Sequence, residues 1–165
     1  PLARVPEALA LLDTVGLTTK EACGNTVRNI TGCALAGVCG GAAFDTTPVA
    51  RSTTRYFLRH PKFQALPRKF KIAFSGCEDD CAQGAINDVG LIAKTRTRAD
   101  GTVEKGFRVA VAGGLSTSPE DAHLLAEFVP EALARMSLGA QLALTRALVR
   151  NVVDRLELAN SRLAR

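Results

Sequence analysis

Residues 66–81 read "LPRKFKIAFSGCEDDC", an apolar run framed by basic residues that ends on two thiols. Residues 69–75 alternate and are rich in β-favouring side chains, which predicts a strand. Lys69 and Lys71, two positions apart on that strand, then point to the same face. Two ammonium groups side by side repel unless an anion sits between or in front of them. A solvated edge is the plainer account, because edge strands often carry Lys. The short run from Lys71 to Cys77 favours the anion.

The thiols need partners, and a second pair lies upstream. Cys33 and Cys39 bracket "CALAGVC", whereas Cys77 and Cys81 bracket "CEDDC". In an α-helix, residues four apart share a face, so Cys77 and Cys81 would present both thiolates in one direction. Residues six apart share no helical face. The first pair therefore belongs on an irregular loop, which Gly32, Gly37, Gly40 and Gly41 make possible. Two pairs of thiolates suit a tetrahedral zinc or an iron–sulfur cluster. The wide spacing of the first pair lies outside the habit of structural zinc sites, and a cubane accepts a wider bite. Unrelated buried cysteines are the remaining alternative. Cys23 falls outside both pairs and reads as a small buried residue. Arg28, in "NTVRNITGC", lies five residues before Cys33, so three cations converge on the cysteine region and describe a pocket for something strongly anionic.

Around this centre the elements are legible. "PEALALLDTVG", residues 6–16, opens on Pro and closes on Gly, a short helix. Residues 23–41 show little periodicity. "TTPVARSTTRYFLRH", residues 46–60, carries a helix start signal. Strands are expected over residues 89–94 and 107–111, and the Asp-Gly in the intervening "TRADGTVEKG" joins them as an antiparallel hairpin. "SPEDAHLLAEF" predicts a helix with Ser118 as N-cap and Pro119 at its first position. Residues 131–165 read as one or two long helices. Leu142, Thr145, Val149, Val152, Leu156, Ala159 and Leu163 make a heptad-like stripe, with Arg150, Arg155, Arg162 and Arg165 towards the chain end. That stripe suits packing on its own domain, or a partner helix.

The chain has 165 residues, enough for one domain with a real core. Its apolar content of 47% contains no run near the roughly 18 residues of a membrane span, so a soluble protein without a span is expected. No long apolar segment follows the first residues, so no leader is expected. The Pro1 start is read as a processed chain or a piece of a longer one. The net charge of +5 suits nucleic acid, a small anion or an anionic cofactor. Aromatics at 5%, with no Trp, give bases little to stack on, so nucleic acid is discounted. Five cysteines, an odd number, do not make a disulfide scaffold.

"NTVRNITGCALAGVC" followed by "LPRKFKIAFSGCEDDC" resembles the sirohaem and 4Fe-4S domain of the nitrite and sulfite reductase family, as do "DVGLIAK" and "GFRVAVAGGLS" downstream. The resemblance runs from about residue 16 to about residue 129. It looks most like the family's first repeat, here with all four cluster cysteines present. It implies an α+β fold with a small, mainly antiparallel sheet flanked by helices. It implies a 4Fe-4S cluster on Cys33, Cys39, Cys77 and Cys81, with Cys81 bridging to the sirohaem iron. Arg28, Lys69 and Lys71 would line the distal face as catalytic, anion-holding residues, and Asn29 and Arg68 would join them and Cys81 around the cofactor. The implied domains are a ferredoxin-like half-domain tail at 1–20, the sirohaem and 4Fe-4S domain at 21–129, and a C-terminal helical segment at 130–165.

Sirohaem is rich in carboxylates, so its pocket needs cations. Six-electron reduction of sulfite or nitrite also consumes protons, which Lys and Arg can relay while holding the oxyanion. The acids between Cys77 and Cys81 would favour the oxidised cluster and lower its potential. The implied partners are the oxyanion, an electron donor (ferredoxin or a flavoprotein), and further subunits or a second copy, in the cytoplasm. Family members usually hold two such domains in one chain, and an anion-binding Arg from the upstream part is not in this one. Rival readings are a non-catalytic electron-transfer or structural iron–sulfur subunit, and a related corrin-biosynthesis enzyme.

Overall fold

The computed structural model describes residues 1–115 and 119–132. Helix α1, Val5–Thr14, starts with Pro in its first turn and stops at Gly16, whose φ of +75° ends the helix where a side chain would be strained. None of its residues is buried. Helix α2, Thr47–Phe57, begins where Asp45 Oδ1 accepts the Thr47 N–H at 2.9 Å. It turns Val49 and Phe57 into the core.

Five strands follow the order β1-β2-β3-β4-β5: Val27–Gly32, Phe70–Ser75, Val89–Thr97, Val103–Val111 and His123–Pro130. The pairs β1–β2 and β2–β3 are parallel, and β3–β4 and β4–β5 are antiparallel. The α+β class holds, but the sheet is mixed rather than mainly antiparallel. The reason is β1, which hides in the stretch read as irregular and is carried through α2 to a parallel neighbour. The expected hairpin is β3–β4, and Gly101 closes its turn at φ +81°.

One expectation fails outright. "SPEDAHLLAEF" is not a helix; most of it is edge strand β5. At the expected helix start Glu120 instead forms an isolated antiparallel bridge with Gly114, the two exchanging backbone hydrogen bonds of 2.8 and 2.9 Å. Gly106 then admits β5. A Cβ there would lie 2.4 Å from Phe128 Cζ and 2.6 Å from the Val129 carbonyl oxygen. Tertiary pairing with β4 overrides the local helical signal.

The core lies where α2 meets the sheet, with Phe44, Val49, Phe57, Phe70, Ile72, Phe74 and Phe107 buried together. Phe44 and Phe74 both meet the Phe107 ring edge-on, at 5.4 and 5.7 Å. On the other side of β2, Ala73 and Ser75 are also buried, but Lys71 is exposed. That face is therefore covered at the thiol end of the strand and open at the lysine end. The C-terminal stripe from Leu142 to Leu163 lies outside the described residues.

Candidate iron–sulfur site

Parallel pairing places the C-terminal ends of β1 and β2 side by side, with Gly32 opposite Phe74. Cys33 follows β1 directly and Cys77 follows β2 by two residues, so the two cysteine loops leave the sheet as neighbours. The loops are also joined. Ala43 N–H donates to the Gly76 carbonyl at 2.7 Å, and a Cβ on Gly76 would sit 3.2 Å from Ala42 Cβ. Within the first loop, Cys39 N–H donates to Leu35 O at 2.9 Å, Leu35 N–H reaches Cys33 Sγ at 3.4 Å, and Gly37 turns the chain at φ +83°. The second loop is a series of turns, not the helix that the four-residue spacing allowed.

The Cys77 and Cys81 thiols feel the neighbouring cysteines. The charge of Cys33, then burial, a hydrogen bond to Cys33, and the charges of Cys77 and Asp79 push the Cys81 thiol up. At Cys77 a hydrogen bond from the Asp79 backbone pulls downwards. Burial and the charges of Asp79, Cys39 and Cys33 together outweigh it and raise that thiol too. Four thiolates in one place are unfavourable until a cationic centre binds them, which is the chemistry of a metal-thiolate site. Among the described residues no His, Cys, Asp or Glu side chains are grouped for a single metal ion. Cys23 is exposed, which corrects its reading as a buried residue.

The three acids of "CEDDC" have separate tasks. Asp80, in the left-handed region at φ +48°, accepts Ser75 Oγ–H at 2.6 Å and the N–H groups of Gly84 and Ala85 at 2.9 Å each. Glu78 pairs with Lys94 on β3 and with Arg108 on β4, the latter at 2.7 Å, and Lys94 first holds its carboxyl below the ordinary range. Only Asp79 points at a thiol, 3.8 Å from Cys77 Sγ. The negative charge beside the thiols is thus narrower than the sequence suggests.

The loop is laid against the sheet through glycines. Cβ atoms on Gly90 and Gly113 would lie 2.7 Å from Gly84 O and 2.2 Å from Ala85 O. Only bare backbone fits at either place.

The cations lie at the other end. Arg28, on β1, donates from Nε to Gly24 O at 3.0 Å, next to exposed Asn29. Arg68 and Lys69 precede β2 and Lys71 is its second residue, all three exposed. From Lys71 to Ser75 the strand rises roughly 13 Å away from the lysines towards the thiols. The structure therefore gathers the four cysteines in one place and the cations in another. It does not bring all of them to one pocket within this chain. Sequence reading missed Asp88, whose Oδ2 accepts the Lys71 N–H at 2.7 Å. Burial pushes its carboxyl up, against the Lys71 N–H, its own N–H and the charges of Lys71 and Lys69. An acid immediately before a strand in "NDVG" was the available signal.

Two thiol-bearing loops on a mixed sheet define an iron–sulfur domain. The chain belongs to the nitrite and sulphite reductase 4Fe-4S domain family, whose model matches residues 23–157. Membership implies a 4Fe-4S cluster coupled to sirohaem. The chain is 39% identical over 131 residues to an assimilatory ferredoxin-dependent nitrite reductase of Haloferax mediterranei, covering 79% of this chain and 22% of that protein. It is 38% identical over 126 residues to a ferredoxin sulfite reductase of Mycobacterium tuberculosis, covering 76% and 22%. The solved structure of the Mycobacterium tuberculosis NirA protein superposes with a TM-score of 0.68 at 38% identity, over 78% of this chain and 22% of that one. Dissimilatory sulfite reductase I shares the fold, with a TM-score of 0.58 at 16% identity over 77% and 47%. The chain thus spans about a fifth of the length of the curated relatives it matches. Among the described residues no helix is long and apolar enough to cross a membrane.

Proposed function

We propose that this chain is the cluster-bearing domain of a reductase that converts nitrite or sulfite in a six-electron reaction. The observation that carries the reading is the joining of Cys33, Cys39, Cys77 and Cys81 at the ends of two adjacent parallel strands. These four residues would hold the 4Fe-4S cluster, with Cys81, the exposed member, facing sirohaem. Bound there, the cluster and sirohaem would supply the electrons for the reduction. Arg28, Lys69 and Lys71 hold the oxyanion and sirohaem carboxylates by charge, supported by Asn29 and Arg68.

The separation of cations from thiols supports a site completed by a second domain or a second copy, whose thiols or cations face those of this chain. In this reading residues 21–129 form the cluster domain, residues 1–20 belong to a ferredoxin-like half-domain, and residues 130–165 lead on towards a partner. The relatives' names favour ferredoxin over a flavoprotein as electron donor. The cytoplasm, where such a donor works, is the proposed location.

An absorption spectrum of the purified protein, with iron and acid-labile sulfide assays, tests the reading. A Soret band with a far-red band, and turnover of nitrite or sulfite with reduced ferredoxin, are expected. A broad brown shoulder alone, without turnover in the assembled protein, would leave an electron-transfer domain and reject the proposal.

A further inference from the structure

The register of β2 and β3 begins at Ile72 opposite Val89. Lys71 therefore stands one residue outside the ladder, where its N–H has no paired strand residue to meet. Asp88 fills that place with its side chain, accepting the Lys71 N–H at 2.7 Å. Its own backbone is fixed, because the Asp88 carbonyl accepts the Ala112 N–H at 2.9 Å and the adjacent Asn87 carbonyl accepts that of Gly113 at 3.1 Å. The carboxyl is half-buried and feels both neighbouring ammoniums, those of Lys71 and Lys69. A carboxyl drawn partly out of water is costly unless it is well bonded.

We infer that Asp88 is a positioning residue for the oxyanion site: through the Lys71 N–H it fixes the start of β2, and so the direction in which Lys71 and Lys69 present their ammonium groups. The inference rests on the proposed function, in which these lysines bind the substrate anion. The hydrogen bond does the positioning. The negative charge works against the anion, so an uncharged acceptor of the same shape should serve.

The test uses the assembled, cofactor-loaded reductase with Asp88→Ala, Asp88→Asn and Lys71→Ala. Asp88→Ala should raise KM for nitrite or sulfite about tenfold while kcat changes little. Hydrogen exchange at the Lys71 amide, measured independently of activity, should become roughly tenfold faster in the same variant. Asp88→Asn keeps an acceptor oxygen and should restore both to within about twofold of wild type. Asp88→Gln carries its acceptor one methylene too far, so it should show the same raised KM and faster Lys71 amide exchange, and it supplies the test where Asp88→Ala does not fold. An unchanged KM in Asp88→Ala alongside a raised KM in Lys71→Ala overturns the inference, as does an unchanged Lys71 amide or a failure of Asn to rescue. If Lys71→Ala also leaves KM unchanged, the oxyanion reading itself has failed, and the inference falls with it even where the exchange data show the hydrogen bond.

Discussion

Asp80 is the residue on which the loop between Cys77 and Cys81 is built, and its removal gives the sharpest test of how that loop is held. Its carboxylate takes three hydrogen bonds, from Ser75 Oγ at 2.6 Å and from the Gly84 and Ala85 amides at 2.9 Å. Ser75 is 1% exposed and Gly84 is buried, so truncation to Ala leaves two donors without water to replace the lost partner. Each such orphan costs about 1–3 kcal/mol. Ala85 is exposed and recovers its bond from solvent, adding little. The φ of +48° suits Asp better than Ala and adds up to about 1 kcal/mol. Asp80→Ala should therefore lower stability by about 4 kcal/mol, a large part of the roughly 5–15 kcal/mol that holds a domain together. Asp79→Ala is the matched control, because Asp79 is exposed and, among the described residues, its side chain hydrogen-bonds only the Cys77 thiol. It should fall within about 0.5 kcal/mol of wild type. Urea unfolding measures both, and iron content after reconstitution shows whether the loop still presents its cysteines. Equal midpoints for the two variants would refute the account of the loop.

Gly90→Ala drives a Cβ to 2.7 Å from the Gly84 carbonyl oxygen, backbone against backbone, and should cost about 1–3 kcal/mol and lower iron loading. Gly114→Ala meets nothing within 4 Å among the described residues and should be nearly neutral in the same urea unfolding. Cys39→Ser or Cys77→Ser should abolish the cluster's iron and sulfide, whereas Cys23→Ser, at an exposed position, should retain both. Glu104 is held down to about 2 by Arg98 first and then Arg96. Its folded value lies below the ordinary one, so its contribution is present above the ordinary carboxylate range and is lost as pH falls through the folded value. Melting temperature should therefore drop between about pH 5 and about pH 2, and Glu104→Gln should flatten that slope. An unchanged slope would show that the two arginines do not act on Glu104 in solution.

Much of the fold was legible because its signals are local. Pro48 after two threonines starts α2, alternation from Phe70 to Ser75 makes β2, and Asp100-Gly101 turns the β3–β4 hairpin. Each depends on a few consecutive backbones and agrees with the tertiary pairing around it. The stretches that were misread depend on distant partners. Strand β1 has no clean alternation and exists because β2 lies beside it. Strand β5 carries a helix start signal that loses to the open edge of β4 and the bare backbone of Gly106.

The candidate site divides in the same way. The candidate donors were legible in the chain, because four cysteines in two spaced pairs and a Lys-x-Lys strand are matters of residue identity and order. The sequence also determined that the first pair needs a glycine-rich loop, as Gly37 at φ +83° bears out. Tertiary structure alone decided where these groups stand. Parallel pairing of β1 with β2 puts both cysteine loops at one end and Arg28, Lys69 and Lys71 at the other, because parallel strands share their direction. It also assigned the acids, sending Glu78 to Lys94 and Arg108, Asp80 to the loop's own amides and Asp88 to the backbone of Lys71. Charge can be counted along a chain, but which charge meets which donor depends on distances that only the closed sheet sets.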